Sequence, residues 1–152
     1  MFLQIAALQG VRPAKAAHAR QLIKKTLGKA GVSEIPYRIA DGSGLSLYNY
    51  VTPEILTRLL TYAYRNTNLF MNLYTALPIA GQDGTLKKRM KEPETNGKVR
   101  AKTGTLAGIS SLAGYAMTPN YHMLAFCIIN QGIMKNAEGR GFQDKVCAAL
   151  CK

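Results

Sequence analysis

A cation, a hydroxyl and a position without a side chain follow one another in Lys102-Thr103-Gly104, within the stretch Gly97-Lys-Val-Arg-Ala-Lys-Thr-Gly-Thr-Leu106. Lys98 to Lys102 reads as a short strand, so the three residues come at a strand's end. An ammonium and a hydroxyl side by side can hold a carboxylate by charge and hydrogen bond. A glycine beside them lets a second backbone lie close against the strand. A tripeptide is a weak signal alone, and its meaning depends on what else the chain carries.

Other reactive residue types are sparse. Asp41-Gly-Ser43-Gly-Leu45-Ser46 places glycines around a serine, which makes a tight turn. Gly44 follows Ser43 directly, so the turn does not match the Gly-x-Ser-x-Gly nucleophile elbow. His18 has no acidic or cysteine neighbour at ligand spacing and reads as a surface histidine. Cys147 and Cys151 sit four apart on one helix face and Cys127 lies in an apolar run, which reads as buried free thiols. No Cys/His set argues for a metal, and no cofactor is expected.

The elements that must position these residues can be read in order. The 152 residues are expected to form one domain. Pro13 to Leu27 repeats its apolar positions at helical spacing and stops at Gly28. Val32 to Ile39 is plausibly extended. Thr52-Pro53-Glu54 opens a second helix with a hydroxyl cap, a first-turn proline and an acid. Asn66-Thr-Asn68 breaks it, and a further helical run follows from Leu69 to Leu77. Turn chemistry fills Leu77-Pro-Ile-Ala-Gly-Gln-Asp-Gly-Thr-Leu86, and Lys87 to Met90 reads as a basic helical turn. Lys98–Lys102, Gly108–Thr118 and Tyr121–Asn130 are extended, and short connections make them an antiparallel meander. A terminal helix after Gly141 offers Phe142, Val146, Cys147 and Leu150 as one face. The expected class is α+β: helices, then a three-strand antiparallel meander, then a covering helix.

A net charge of +12 suits an acidic partner but leaves the fold open. The cations are scattered, with no RNA-binding aromatic signature, zinc-finger spacing or basic heptads, so no nucleic-acid partner is expected. The apolar start, Met-Phe-Leu-Gln-Ile-Ala-Ala-Leu, lacks a preceding basic residue and makes a poor signal peptide. It is also too short to span a membrane, and it reads as the end of a buried helix.

Three stretches in this order, Asp41–Ser46, Leu77–Leu86 and Lys102–Leu106, resemble the C-terminal portion of the penicillin-binding-protein-4-type D-alanyl-D-alanine carboxypeptidases, the S13 serine peptidases. Lys-Thr-Gly is one signature of penicillin-recognising enzymes, beside Ser-x-x-K and Ser-Asp-Asn. The resemblance implies part of a β-lactamase/transpeptidase-like domain in a periplasmic enzyme. Its substrate would be the peptidoglycan stem peptide, cut through an acyl-enzyme that β-lactams also form. It also implies roles: Lys102 supplies positive potential, Thr103 binds the substrate carboxylate, and Gly104 lets the substrate strand approach. The N–H of Thr105 would be half of an oxyanion hole. In the Asp41–Ser46 turn, Ser43 and Leu45 would belong to the substrate-binding surface, with Leu45 walling the pocket for the preceding side chain. Many relatives carry Arg where this chain has Leu47.

Ser-x-x-K and Ser-x-N do not occur in the sequence. The expectation is therefore a C-terminal segment that is inactive alone. A sheet without its neighbours would expose an apolar edge at Tyr121–Asn130 and could oligomerise through it. The alternative is a non-catalytic basic module that binds peptidoglycan or another anionic polymer.

Overall fold

The structure, a computed structural model, describes residues 2–10 and 12–152. Met1, which opens the apolar N-terminal stretch, lies outside them. The chain divides into two compact units, residues 1–62 and 63–152.

The first unit is helical. Helices α1 (Phe2–Leu8), α2 (Ala16–Lys29) and most of α3 (Pro53–Tyr64) belong to it. Its core is Leu27, Val32 and Ile55, with Ile23, Ile35, Tyr37 and Leu59 packed around them. The predicted hydroxyl cap of α3 forms: the Ile55 N–H donates to Thr52 Oγ1 at 3.3 Å. His18 accepts from the Lys15 N–H through Nδ1 at 3.2 Å, so it caps the start of α2. The structure differs from expectation at two places. In α1 only Ala6 is buried, while Leu3, Ile5 and Leu8 are exposed. Residues 32–39 form no strand, because their pairing is one bridge, Arg38 with Tyr50, that nothing extends.

The second unit carries the sheet. Strands β1 (Val99–Leu106), β2 (Ile109–Met117) and β3 (Met123–Gln131) lie in the order β1-β2-β3, both pairs antiparallel. This is the expected meander. Strand β1 runs further than the sequence suggested, with Lys102, Thr103 and Gly104 inside it. Gly104 has little strand preference of its own, but it is carried by its place opposite Ser111, between Thr103↔Leu112 and Thr105↔Ser110. Gly108, at φ 70°, closes the hairpin to β2 in a conformation that suits glycine.

Helix α4 (Thr67–Ala76) starts at Asn66, whose side chain accepts from the Leu69 N–H at 3.1 Å. The residue read as a breaker is thus a helix cap. One face of the sheet meets α4 through aromatic contacts: Tyr115 lies 5.2 Å from Phe70 and 5.9 Å from Tyr74, centroid to centroid. The Arg100 guanidinium sits 4.7 Å over the Tyr74 ring. The other face is covered by α5 (Asn136–Leu150) around Val99, Ala101, Leu112, Ala116, Phe126, Cys147 and Cys151. Fully burying a side chain such as Leu112 contributes about 2–3 kcal/mol.

The buried face of α5 is Gly139, Gln143 and Cys147, while Phe142 is 53% exposed. A Cβ on Gly139 would lie 2.7 Å from Ile133 Cδ1 and 3.0 Å from Ser110 Cβ. This close approach, available only without a side chain, turns the helix so that Phe142 faces away. The three thiols are free, with Cys147 and Cys151 buried as expected and Cys127 partly buried. No helix among the described residues is long and apolar enough to cross a membrane.

Candidate functional site

The sequence of β1 alternates its side chains and also its backbone groups. Lys98 receives a bond from β2 at its carbonyl (Met117 N–H, 2.9 Å), whereas Val99 receives one from the opposite side (Ala80 N–H, 2.9 Å). Odd-numbered residues therefore turn their N–H and C=O groups toward the outer edge. There the segment Pro78–Ala80 forms a short strap: the Ala101 N–H donates to the Pro78 carbonyl at 3.1 Å, and Ile79 bridges to Arg100. Pro78 has no N–H to return a second bond to Ala101, and the strap ends at this point.

The next outward-facing backbone groups belong to Thr103 and Thr105, and among the described residues no strand pairs with them. The edge is thus closed over its first half and open over its second. Lys102 Nζ donates to the Thr103 carbonyl at 2.6 Å, which places an ammonium on the open part. Gly104 lies between, and a Cβ there would collide with Ser111 Oγ. The expected charge, hydroxyl and bare backbone are together on one strand edge.

The face of β1 that carries the Thr103 side chain borders an open cavity of about 340 Å³. It is lined by Thr85, Thr103, Thr105, Ser110 and Ser111, together with Arg89 and Arg140. Thr85 was not foreseen as a site residue. It sits in the 3₁₀ turn Gly84–Leu86, and its Oγ1 is 3.1 Å from Thr103 Oγ1. The turn is fixed by Asp83, whose Oδ1 accepts from the Ile79 N–H at 2.6 Å. The turn-rich stretch before Leu86 was legible in sequence, but its contact with Thr103 was not.

Behind the cavity lies a buried polar network. Gln143, with no exposed surface, donates through Nε2 to Ser110 Oγ (3.0 Å) and Asn130 Oδ1 (2.9 Å). Its Oε1 accepts from Arg89 Nη2 at 3.0 Å. Arg89 Nε and Nη2 both reach Asp144 Oδ1, at 3.0 and 2.7 Å. A buried side-chain amide with its donors and acceptor engaged fixes α5 on the sheet. Burial also raises two thiols, Cys127 to about 11 and Cys147 to about 12.

Ser43 and Leu45 lie in the first unit. The Ser43 N–H and Oγ both donate to Asp41 Oδ1 (3.0 and 2.9 Å), and Ser43 Oγ accepts from the Leu45 N–H at 3.1 Å. Those bonds, the Ser43 N–H first, hold the Asp41 carboxyl below its ordinary value. Ser43 therefore builds the turn. A Cβ on Gly42 would come within 2.7 Å of Phe2 Cβ, and Gly44 has φ 74°, so each glycine answers to a local constraint. Leu45 is 69% exposed and Leu47 76%. Among the described residues, no group of three or more His, Cys, Asp or Glu is placed to hold a metal ion.

Known proteins resemble this chain over most of its length. The chain is 37% identical over 115 residues to a D-alanyl-D-alanine carboxypeptidase of an Actinomadura species, covering 72% of this chain and 21% of that one. It is 36% identical over 117 residues to the D-alanyl-D-alanine carboxypeptidase DacB of Haemophilus influenzae, covering 76% and 24%. The crystal structure of penicillin-binding protein 4 from H. influenzae superposes with a TM-score of 0.86 at 31% identity, over 98% of this chain and 35% of that one. A complex of the same protein with a β-lactam gives 0.87 over 99% and 37%. The TLA-3 extended-spectrum β-lactamase, at 21% identity and a TM-score of 0.59, shares the fold. The chain thus spans about a fifth to about a third of the length of the relatives it matches. A model of the D-Ala-D-Ala carboxypeptidase 3 (S13) family matches residues 1–151, on both sides of the unit boundary, and the chain belongs to that family.

Proposed function

We propose that this chain supplies the substrate-gripping wall of a serine-type D-Ala-D-Ala carboxypeptidase. Its substrate is the peptidoglycan stem peptide, and β-lactams occupy the same edge. The observation that carries the reading is the half-open edge of β1, where the backbone groups of Thr103 and Thr105 face no outer strand among the described residues, with Lys102 and Gly104 beside them. An extended peptide end pairs with the outward-facing backbone groups of Thr103 and Thr105 as an added strand, displacing Lys102 Nζ from the Thr103 carbonyl. The Thr103 hydroxyl, which donates to Thr85 Oγ1 in the free chain, turns its proton to the substrate's terminal carboxylate and accepts from Thr85 in return. The Thr105 N–H, unpaired by a neighbouring strand, stabilises the oxyanion that develops when a serine attacks the scissile carbonyl. The leaving D-alanine carries off the amine, and water then releases the acyl group. Lys102 contributes positive potential beside the reacting centre. The cell compartment of this reaction is the periplasm.

Residues 1–152 contain no Ser-x-x-K, so the attacking serine must come from outside them. The 152-residue chain by itself is expected to form no covalent penicillin adduct by intact mass, since losing a nucleophile costs about as much as losing the whole catalytic set. The positive test is a chimera in which this chain replaces the corresponding C-terminal third of the H. influenzae protein. It should form a one-to-one penicillin adduct and release D-alanine from a D-Ala-D-Ala peptide. Thr103→Val in the chimera should slow release by about a hundredfold. A chimera that folds but neither acylates nor responds to Thr103→Val would overturn the proposal.

A further inference from the structure

We propose that Arg140 is a specificity determinant of the β1 site: its guanidinium makes the hydroxyl-lined cavity select a ligand with a free carboxylate over the matching carboxamide. The inference rests on the function proposed above and assigns a role to a residue outside the Lys-Thr-Gly element.

The cavity borders on two arginines, and they differ in what they are bound to. Arg89 is engaged: it pairs with Asp144 at 2.7 Å, its side chain only 11% exposed, and it also donates to Gln143. Its charge and that of Asp144 cancel. Arg140 is exposed, and among the described residues the ion pairs are Arg58–Glu54 and Arg89–Asp144, so no carboxylate neutralises it. Its backbone carbonyl accepts from Arg89 Nη2 at 3.4 Å. Lys102 follows the other face of β1 from Thr103, and its ammonium is turned to the Thr103 carbonyl. Arg140 is therefore the uncompensated cation of the cavity.

The remaining groups at the cavity are hydroxyls. Hydroxyls donate to a carboxamide oxygen as well as to a carboxylate and carry no net charge, so they separate the two less sharply than a cation does. A guanidinium changes this, because its bonds to an anion are charge-assisted and can be paired. Its carrier is also fixed. Gln143 ties α5 to Ser110 and Asn130, and Asn136 Nδ2 donates to the Leu106 carbonyl at 3.0 Å, where β1 ends. The arginine is thus presented from a rigid helix, which suits selection between ligands that differ by one charge.

The test uses the ¹⁵N-labelled 152-residue chain, titrated with N-acetyl-D-alanine and with N-acetyl-D-alaninamide while the Thr103 and Thr105 amides are followed. The wild-type chain should bind the acid more tightly than the amide. Arg140→Gln should weaken the acid about five- to tenfold and leave the amide unchanged, and Arg140→Lys should recover part of the loss. Circular dichroism melts should coincide, because the residue is exposed. Equal weakening of acid and amide, or an unchanged preference in Arg140→Gln, would overturn the assignment. Thr103→Val separates this from the reading beneath it. If that variant loses the acid while Arg140→Gln keeps it, the carboxylate site stands and the role of Arg140 falls. If the wild-type amides respond to neither ligand, both fall.

Discussion

Gly104 and Gly114 sit on paired strands and make opposite predictions for the same substitution. A Cβ on Gly114 would collide with the Arg100 carbonyl and lie 2.6 Å from Ala101 Cα and 2.8 Å from Ala101 Cβ. None of these atoms can rotate away. Restoring ordinary contact requires β1 and β2 to part by about 0.8 Å at the centre of their ladder, at the upper end of overpacking costs, about 3 kcal/mol. A Cβ on Gly104 meets only Ser111 Oγ, with Ser111 Cβ at an ordinary 3.7 Å. Rotating one serine relieves that contact at about 1 kcal/mol, and the stiffer unfolded chain returns about 0.4–1 kcal/mol. Gly114→Ala should lower the melting temperature by about 6–12 °C, and Gly104→Ala should move it by less than about 3 °C. Near-UV circular dichroism of the cluster around Tyr115, Tyr74 and Phe70 reports the sheet directly. Gly104→Ala should nonetheless weaken N-acetyl-D-alanine binding, because the added methyl stands where the ligand backbone approaches. Equal destabilisation by the two substitutions would show that Gly104 is a packing glycine, and the argument for substrate approach would fail.

Two further outcomes test the frame behind the site. Arg89→Ala strands Asp144 and the Gln143 carbonyl; breaking a buried pair costs about 3–5 kcal/mol, and the partial exposure of Asp144 reduces this to about 2–3. A urea midpoint that shifts by less than 0.5 kcal/mol equivalent (about half a kilocalorie) would contradict the network's role. The thiols give a pH dependence. Cys127 and Cys147 titrate at about 11 and about 12 when folded, above the ordinary 9.0, because burial disfavours the thiolate. Their contribution is fully present below about pH 9 and is lost as pH rises through those values, so stability should decline across this alkaline range. At pH 8 iodoacetamide should modify Cys147 slowly in the folded chain and quickly in urea; equal rates would contradict its burial.

Much of this fold follows from local pattern. The Thr52-Pro53 cap, the apolar run of β3 and the short β1–β2 turn each set their element with neighbours close in sequence. The errors share a cause. Phe142 was placed on the buried face of α5 by its apolarity, whereas the close approach of Gly139 to Ser110, 29 positions earlier in the chain, sets that face. The sequence reads as extended only over Lys98–Lys102, whereas β1 continues to Leu106 through its register with β2. The site divides in the same way. Lys102, Thr103, Gly104 and Thr105 are contiguous and legible as a motif. Thr85, Gln143 and Arg140 join them only through folding, and nothing in their spacing announces it.

The strap at Pro78–Ala80 also sets a length limit. Its proline closes the outer edge of β1 up to Ala101, so an incoming peptide finds backbone partners only at Thr103 and Thr105. A chain end fits in that space. A long strand from another protein cannot propagate its pairing past the proline, so each further residue adds no ladder bond. In the function proposed above, the residue that terminates the strap would work as a ruler: it would let the edge read the last residues of a peptide and deny the edge to the extended partners that turn open sheets into aggregates.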